Sequence, residues 1–267
     1  MVAGRLGIKL AVWMAVFTGI TTAVLGLRMW AIKFIRRGLQ LSDYLMIVAY
    51  LSTTTMAAAN WWTVANGLGK HTTELTSEEL DVQYKGMVVD EVTWLVGTVC
   101  CKGSILALYR TIFNSYRPMR MLVNVVSGLV VAYFIAFLPV FLTQCHPVSY
   151  GWNPVPGGAC RSLTYQEISS ISLNIFLDTV IAVLPAPALW KLHMPLRNKI
   201  TISAMFGMGL IVVAVMIMRL IITLSPATSA DFVHSLYQIG LFSFLELWLS
   251  IIIASLPVLT PLVQALY

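Results

Sequence analysis

The sequence predicts an all-α membrane protein, a bundle of seven transmembrane helices that forms a single domain over residues 1–267. Two observations predict this class. Hydrophobic residues make up 58% of the chain and charged residues only 10%, whereas about a quarter of the residues in a soluble domain are charged. In addition, seven apolar stretches follow one another along the chain, each about long enough to cross a bilayer.

The spans are expected to be α-helices, because every backbone polar group in hydrocarbon must be hydrogen-bonded within its own segment and the alternation of a barrel strand is absent. Counting about 20 residues per crossing gives Gly7 to Ile32, Ser42 to Ala65, Gly86 to Tyr109, Met121 to Thr143, Tyr165 to Trp190, Ile200 to Leu224 and Phe232 to Leu256. The alternative for the first stretch is a signal peptide, since Arg5 and Lys9 precede it. That stretch exceeds the roughly 7 to 15 apolar residues of a signal peptide, and no A-x-A-like cleavage site follows before Lys33.

Basic residues predict the orientation, because ten of them fall on one side of the predicted membrane and five on the other. The ten are Arg28, Lys33, Arg36, Arg37, Arg110, Arg117, Arg120, Lys191, Arg197 and Lys199; the five are Arg5, Lys9, Lys70, Lys85 and Arg161. The richer side is expected to be cytoplasmic, which leaves the N-terminus outside and the C-terminus inside. Contact of these turns with anionic lipid explains the net charge of +6, so we expect a lipid bilayer and no nucleic acid as a partner.

The four cysteines form two pairs that differ in depth. Cys145 and Cys160 flank a Pro/Gly-rich segment in the predicted outer loop between spans four and five, where a disulfide would contribute roughly 3 kcal/mol. Cys100 and Cys101 lie deep in the third span, where thiols behave as small apolar groups. Neither pair has the spacing of a metal site. No cofactor is expected either, since the seventh span lacks the lysine that holds the chromophore of a light-sensing protein.

Several short motifs occur in a specific order along nearly the whole chain. They are Gly67-Leu68-Gly69-Lys70-His71, Cys101-Lys102-Gly103-Ser104-Ile105-Leu106, Tyr109-Arg110 with Phe113, the Cys145/Trp152/Cys160 loop, Asn174, Asp178, Leu184-Pro185, Leu189-Trp190-Lys191-Leu192, Phe206-Gly207, Arg219, Glu246, Ala254-Ser255-Leu256-Pro257 and Pro261. Together they resemble the fungal rhodopsin-like integral membrane family. Its members are seven-span proteins found in fungal toxin clusters and among pathogenicity-related receptor-like proteins. The resemblance implies a seven-span fold without pigment. The chain departs from the family at Leu41-Ser42-Asp43, where members commonly have paired aspartates.

Four polar residues are predicted to meet near the middle of the bilayer: Lys102, Asn174, Asp178 and Glu246. At 1.5 Å per residue, Lys102 lies about 12 Å from the inner boundary, and Asp178 and Glu246 lie about 20 Å from the outer one. Ionisable groups at that depth face the bundle and pair with one another. Either an interhelical network that holds the bundle together or a functional site accounts for them.

A second set of polar and aromatic residues is predicted near the outer face. Asp90, Glu91 and Trp94 belong to span three. Arg219 belongs to span six, where it needs a carboxylate partner, and we expect Asp90 or Glu91 to provide it. Asn60, Trp61 and Trp62 end span two, and His71 follows in the loop. Convergent acid, base, amide and aromatic groups are typical of a ligand pocket. The alternative is that the tryptophans form an interfacial belt and that the histidine is solvated.

Three function classes fit these features. The first is a receptor-like protein in the plasma membrane or an endomembrane, which binds a small lipophilic molecule from outside and signals to a cytoplasmic partner. The second is a membrane-embedded acid–base enzyme of fungal secondary metabolism, with Asp90 or Glu91 as its catalytic group. The third is a transporter or scaffold, although no internal repeat supports a transporter. No Gly-rich phosphate loop, H-E-x-x-H or G-x-S-x-G motif occurs in the sequence.

Overall fold

A computed structural model describes residues 5–113, 116–152, 156–186, 196–226, 228 and 231–266. The described chain contains seven long helices, named α1 (Arg5–Phe34), α2 (Leu41–Ala65), α3 (Ser77–Ile112), α4 (Arg117–Leu142), α5 (Leu163–Val183), α6 (Leu196–Thr223) and α7 (Phe232–Leu266). Two short strands, β1 (Cys145–His146) and β2 (Ala159–Cys160), pair in the connection between α4 and α5. The all-α class is confirmed. We call the end of the bundle that carries these strands the disulfide end, and the opposite end the basic end.

Five of the helices, α1, α3, α4, α6 and α7, are long and apolar enough to cross a membrane. The other two, α2 and α5, carry more polar side chains, and these side chains contact neighbouring helices. The Ser52 hydroxyl on α2 donates a hydrogen bond to the Thr93 carbonyl oxygen at 2.6 Å. The Asn174 amide on α5 donates to Glu246 at 2.8 Å. Part of the lower hydropathy of α2 and α5 therefore comes from polar groups that bond to neighbouring helices inside the bundle.

Several helix boundaries differ from those predicted. Helix α3 begins before Gly86, because the Thr76 hydroxyl accepts from the Glu79 amide while the Glu79 carboxylate accepts from the Thr76 amide. This reciprocal capping starts a helix effectively. Helix α7 continues past Leu256 to Leu266. The predicted end of the fifth span at Trp190, together with Lys191, lies outside the described residues.

Helix α3 occupies the centre of the bundle, where it contacts α2, α4, α5 and α7, while contacts of α1 with α7 close the ring. Two glycines let its neighbours approach closely. Gly86 faces Thr63 of α2, and a Cβ placed on Gly97 would lie 2.9 Å from a methyl group of Leu247 on α7. Larger side chains would push these helices apart. The polar residues of α3 are therefore held close to α2 and α7.

A buried ion pair joins three helices at the basic end. Arg28 on α1 and Asp43 on α2 are both fully buried, with their charged atoms 2.7 Å apart, and Arg28 also donates to the Ala254 carbonyl on α7. Asp43 further accepts from Arg37 at 2.7 Å and from the Gln40 amide at 2.9 Å. The carboxylate thus caps the start of α2 and forms ion pairs with two arginines. The prediction of the orientation counts Arg28 among the basic residues of the turns, but in the structure Arg28 lies inside the bundle.

At the disulfide end the predicted bond between Cys145 and Cys160 is confirmed, and the same two residues face each other across β1 and β2. The Gly67-Leu68-Gly69 motif forms a turn in which both glycines have positive φ, 93° and 86°, a conformation that favours glycine. The turn directs Leu68 into the bundle, where it is 3% exposed. It also brings Gly69 against Leu6 and Gly7 of α1.

Candidate functional site

A cavity of about 50 Å³ lies among α2, α3, α5, α6 and α7 toward the disulfide end. We call this space the carboxyl cavity. The polar residues of its lining are Asn60, Asp90, Glu91, Trp94, Glu167 and Arg219, together with Thr63, Gln83 and Ser243. Apolar residues, among them Met56, Leu68, Met87, Phe232, Leu236 and Ile239, complete the wall. Since a water molecule needs roughly 10–15 Å³ of such volume, the cavity has room for a few waters or one small polar group.

On one side of the cavity, α2 and α3 are joined by a hydrogen bond between Asn60 and Asp90. The Asn60 amide nitrogen donates to the Asp90 carboxyl at 2.7 Å and to the Met56 carbonyl at 3.1 Å. Because Asn60 is 2% exposed, its position is fixed by these two bonds. The carboxyl of Asp90 is consequently held at the cavity wall.

Arg219 pairs with a different acid from the one predicted. The sequence suggests Asp90 or Glu91 as its partner, but its Nη2 donates to Glu167 Oε2 at 3.0 Å. Glu167 stands on α5, which packs directly against the arginine's own helix α6. The face of the guanidinium covers Trp94, with its central carbon 4.3 Å from the ring centroid. An ion pair and a cation–π contact therefore hold Arg219 at one edge of the cavity.

Several polar atoms of the carboxyl cavity have no partner among the described residues. They are Gln83 Oε1, Glu91 Oε2 and the Nε and Nη1 atoms of Arg219. All three residues are buried, with 1%, 6% and 3% of their surface exposed. Because an unsatisfied buried polar group costs about 1–3 kcal/mol, water or another polar molecule is expected at these atoms. The cavity thus offers two open acceptors and two open donors.

The four residues predicted near mid-membrane lie together, in what we call the lysine cluster. Lys102 Nζ is 2.7 Å from Asp178 and 3.6 Å from Glu246. The same nitrogen donates to Thr98 Oγ1 at 2.9 Å, and Thr98 donates to Glu246 at 2.8 Å. Asn174 completes the network through its amide bonds to Glu246 and Asp178. The cluster therefore connects α3, α5 and α7 through charge-assisted hydrogen bonds.

Trp94 connects the carboxyl cavity to the lysine cluster. Its indole nitrogen donates to Glu246 Oε2 at 2.7 Å, while its ring supports the guanidinium of Arg219. The residue is 2% exposed. One buried side chain therefore contacts both the guanidinium of Arg219 and the carboxylate of Glu246.

The remaining predicted residues do not line the cavity. Trp61 and Trp62 are 48% and 47% exposed, as in an interfacial belt. His71 lies at the disulfide end, where its ring stacks on His234 at 4.1 Å and bonds Asp231 at 2.9 Å. Partial burial acts to raise the pKa of the Asp231 carboxyl, but hydrogen bonds from Thr72 and His71 outweigh it and lower the pKa to about 2.

Comparison with known proteins identifies the family. A model of the fungal rhodopsin domain matches residues 27–265. The chain is 26% identical over 209 residues to the polyenoic acids biosynthesis gene cluster protein Ba17b of Metarhizium anisopliae, covering 76% of the chain and 57% of that protein. It is 23% identical over 255 residues to the wortmanamides biosynthesis cluster protein C of Talaromyces wortmannii, covering 92% of the chain and 68% of that protein.

A third relative, a SAT4 family membrane protein of Emericella nidulans, is 25% identical over 176 residues, which cover 64% of the chain and 46% of that protein. The chain thus spans between about half and two thirds of the length of these three relatives. No solved structure matches it. Apolar helices, polar motifs and a family match over most of the sequence together identify the chain as a member of the fungal rhodopsin domain family of multi-pass membrane proteins.

Proposed function

We propose that all seven helices span the membrane, with the N-terminus outside and the basic end in the cytoplasm. The excess of Lys and Arg in the turns of that end supports this orientation. The interior position of the polar groups on α2 and α5 supports their inclusion, since polar residues in membrane helices face the bundle. The disulfide end then lies in the oxidising compartment, which suits the bond between Cys145 and Cys160.

Within that frame, the chain functions as a receptor-like protein of fungal secondary metabolism that binds a small lipophilic molecule at the carboxyl cavity. The open acceptor of Glu91 and the open donors of Arg219 support this site. A hydroxyl group, which both donates and accepts, satisfies both residues. The volume of about 50 Å³ admits only such a polar group, so the apolar body of the molecule requires the surrounding helices to separate.

The single observation that carries the receptor proposal is the position of Trp94. A molecule that displaces the Arg219 guanidinium also shifts the ring beneath it, and this ring is hydrogen-bonded to Glu246. Glu246 belongs to the lysine cluster, which joins α3, α5 and α7. Occupancy near the outer face thereby alters the packing of three helices that continue toward the cytoplasm. Signalling to a cytoplasmic partner follows from such a change.

A membrane-embedded acid–base enzyme is the second candidate, and the adjacent carboxyl groups favour it. Glu91 lies next to Glu167, and one oxygen of Glu91 at the cavity has no hydrogen-bond partner among the residues that the structure describes. A carboxyl placed in this way can transfer a proton to or from a bound alkene, epoxide or ketone. Asp90 is the other candidate, although its hydrogen bond with Asn60 occupies one oxygen. The relatives named for biosynthesis clusters are compatible with either role.

The substitution Trp94→Phe tests the receptor proposal in the producing fungus. It keeps an aromatic ring under Arg219 but removes the donor to Glu246, so the coupling is lost while the cavity remains. We expect the cells to lose the transcriptional response that the intact gene mediates, with no accumulated biosynthetic precursor. Trp248→Phe is the matched control, because Trp248 is a buried indole on α7 whose nitrogen has no partner among the described residues.

Metabolite profiles of cells with the gene, without it and with Glu91→Gln separate the two candidates. A missing product with an accumulated precursor, reproduced by Glu91→Gln in a folded protein, supports the enzyme and excludes the receptor proposal. A normal profile with an altered response supports the receptor. If Trp94→Phe and Trp248→Phe have the same effect on the response, the proposed coupling is wrong.

A further inference from the structure

A second, larger cavity is a groove of about 590 Å³ between α2 and α4, with α3 as its floor. The floor is formed by the small residues Cys100, Gly103 and Ala107. A Cβ on Gly103 would lie 3.2 Å from Leu45 of α2, so larger side chains there would fill the groove. Its walls are mainly Val and Leu side chains. The groove is therefore a deep apolar channel on the outside of the helix bundle.

The groove begins at the basic end and opens sideways to the surroundings of the bundle. Leu41 and Val131 on its two walls are 66% and 54% exposed, which places its opening on the membrane-facing surface. Along α3 it extends from Val99 to Thr111, roughly 18 Å of helix. This length is about half of a hydrocarbon core that is about 30 Å thick. The channel thus matches the depth of one leaflet.

Apart from the Ser127 hydroxyl, which donates to the Val123 carbonyl, the polar groups of this channel lie toward its mouth. Arg110 lines the mouth and is exposed, and it forms no ion pair with any residue that the structure describes. Arg117, at the start of α4, is exposed at the same end. Asn124 lies two turns further into α4, and its exposed amide has no hydrogen-bond partner within the described ranges. Cationic groups at the surface and an amide beneath them match the order of phosphate and ester groups in a phospholipid.

We propose that this groove binds one anionic phospholipid. An acyl chain lies along Cys100, Gly103 and Ala107, the phosphate contacts Arg110, and the Asn124 amide donates to an ester oxygen. Basic pockets between helices on the cytoplasmic side attract anionic headgroups. A neutral lipid fills the channel equally well but gives Arg110 no net counter-charge. The site is separate from the carboxyl cavity and does not depend on the function proposed for it.

Native mass spectrometry of the purified full chain in detergent tests the proposal. The protein is titrated with phosphatidylserine or with phosphatidylcholine of the same acyl chains. We expect one phosphatidylserine to be retained more tightly than phosphatidylcholine. Arg110→Gln should weaken this preference about fivefold, the effect of about 1 kcal/mol for one cation near a membrane surface. Ala107→Leu should remove tight binding of both lipids, because it fills the floor.

Two matched controls distinguish the groove from general surface effects. Lys33→Gln removes a cation from α1 at the same end, outside the groove, and should leave the preference unchanged. Ala136→Leu adds the same side chain to an exposed position of α4 that does not line the groove. Thermal unfolding of each variant verifies the fold. Equal retention of the two lipids by the wild-type protein, or equal effects of Arg110→Gln and Lys33→Gln, would overturn the proposal, as would tight binding by the Ala107→Leu variant.

Discussion

The buried Arg219 guanidinium has one nitrogen atom with a hydrogen-bond partner and two without a partner among the described residues. One nitrogen pairs with Glu167 and the face rests on Trp94, whereas Nε and Nη1 have no partner in the described part of the chain. Removing one partner from a buried ion pair leaves an uncompensated charge, which costs far more than the pair contributes. The acids that line the carboxyl cavity should therefore contribute unequally to the stability of the protein.

We predict that Glu167→Gln destabilises the protein more than Asp90→Asn does. The first change removes the counter-charge of Arg219 and should lower the free energy of unfolding by about 3 kcal/mol. The second should cost less than about 1 kcal/mol, because an asparagine oxygen still accepts from Asn60. Thermal unfolding of both variants in the same detergent measures the difference. The reverse order would show that Asp90, and not Glu167, balances the arginine.

The sequence predicts which residues of the site are buried better than it predicts their partners. Counting 1.5 Å per residue puts Lys102, Asp178 and Glu246 at one depth, and in the structure they form ion pairs. The partner of Arg219 could not be found in this way, because several acids lie at similar depths. The choice of Glu167 follows from the packing of α5 on α6, which residue spacing along one helix does not determine. The sequence indicates only that the acid paired with Arg219 must lie on a helix adjacent to the helix of the arginine.

Helices of the disulfide end are joined by side chains from the connections between them. Asp231 precedes α7 and accepts from the His234 amide at 3.1 Å, which caps that helix. The same carboxylate accepts from the Thr72 hydroxyl and contacts His71, both of which follow α2. Trp61 and Trp62, near the end of α2, instead point outward. The sequence does not predict this, because their residue type and position fit a pocket and an interfacial belt equally well.

Asp231 should make the stability of the disulfide end dependent on acid pH. Its pKa in the folded protein is about 2, below the usual value of about 3.9. Its stabilising contribution is therefore complete above about pH 4 and is lost as the pH falls toward 2. Hydrogen exchange of the backbone of residues 71–75 and 232–236, measured across this range, should show increased opening at low pH.

Two variants separate the charge of Asp231 from its capping role. Asp231→Asn keeps a capping oxygen and should weaken the acid dependence while α7 remains capped. Asp231→Ala removes both and should open the start of α7 at every pH. An acid response that persists unchanged in Asp231→Asn would assign the titration to another group.

At the scale of the whole molecule, the length of α3 limits how the protein can sit in a membrane. Helix α3 has 36 residues, roughly 54 Å at 1.5 Å per residue, whereas the hydrocarbon core is about 30 Å thick. A helix of this length that crosses the bilayer has its two ends on opposite sides. The disulfide end and the basic end of the bundle then face different compartments, and one labelled position near each end of α3 suffices to determine the orientation.

We predict that Glu78→Cys is labelled from outside intact cells and that Tyr116→Cys is not. Glu78 is exposed in the first turn of α3, and Tyr116 is exposed and directly precedes Arg117, the first residue of α4. Positive charge near short turns keeps them on the cytoplasmic side, so an impermeant maleimide should reach Tyr116→Cys only after permeabilisation. The free cysteines of the parent chain, Cys100 and Cys101, lie within α3, and the unsubstituted protein provides their background. Labelling of Tyr116→Cys alone in intact cells would invert the topology, and labelling of both positions would mean that the two ends of α3 share a compartment, which its length forbids for a membrane-spanning helix.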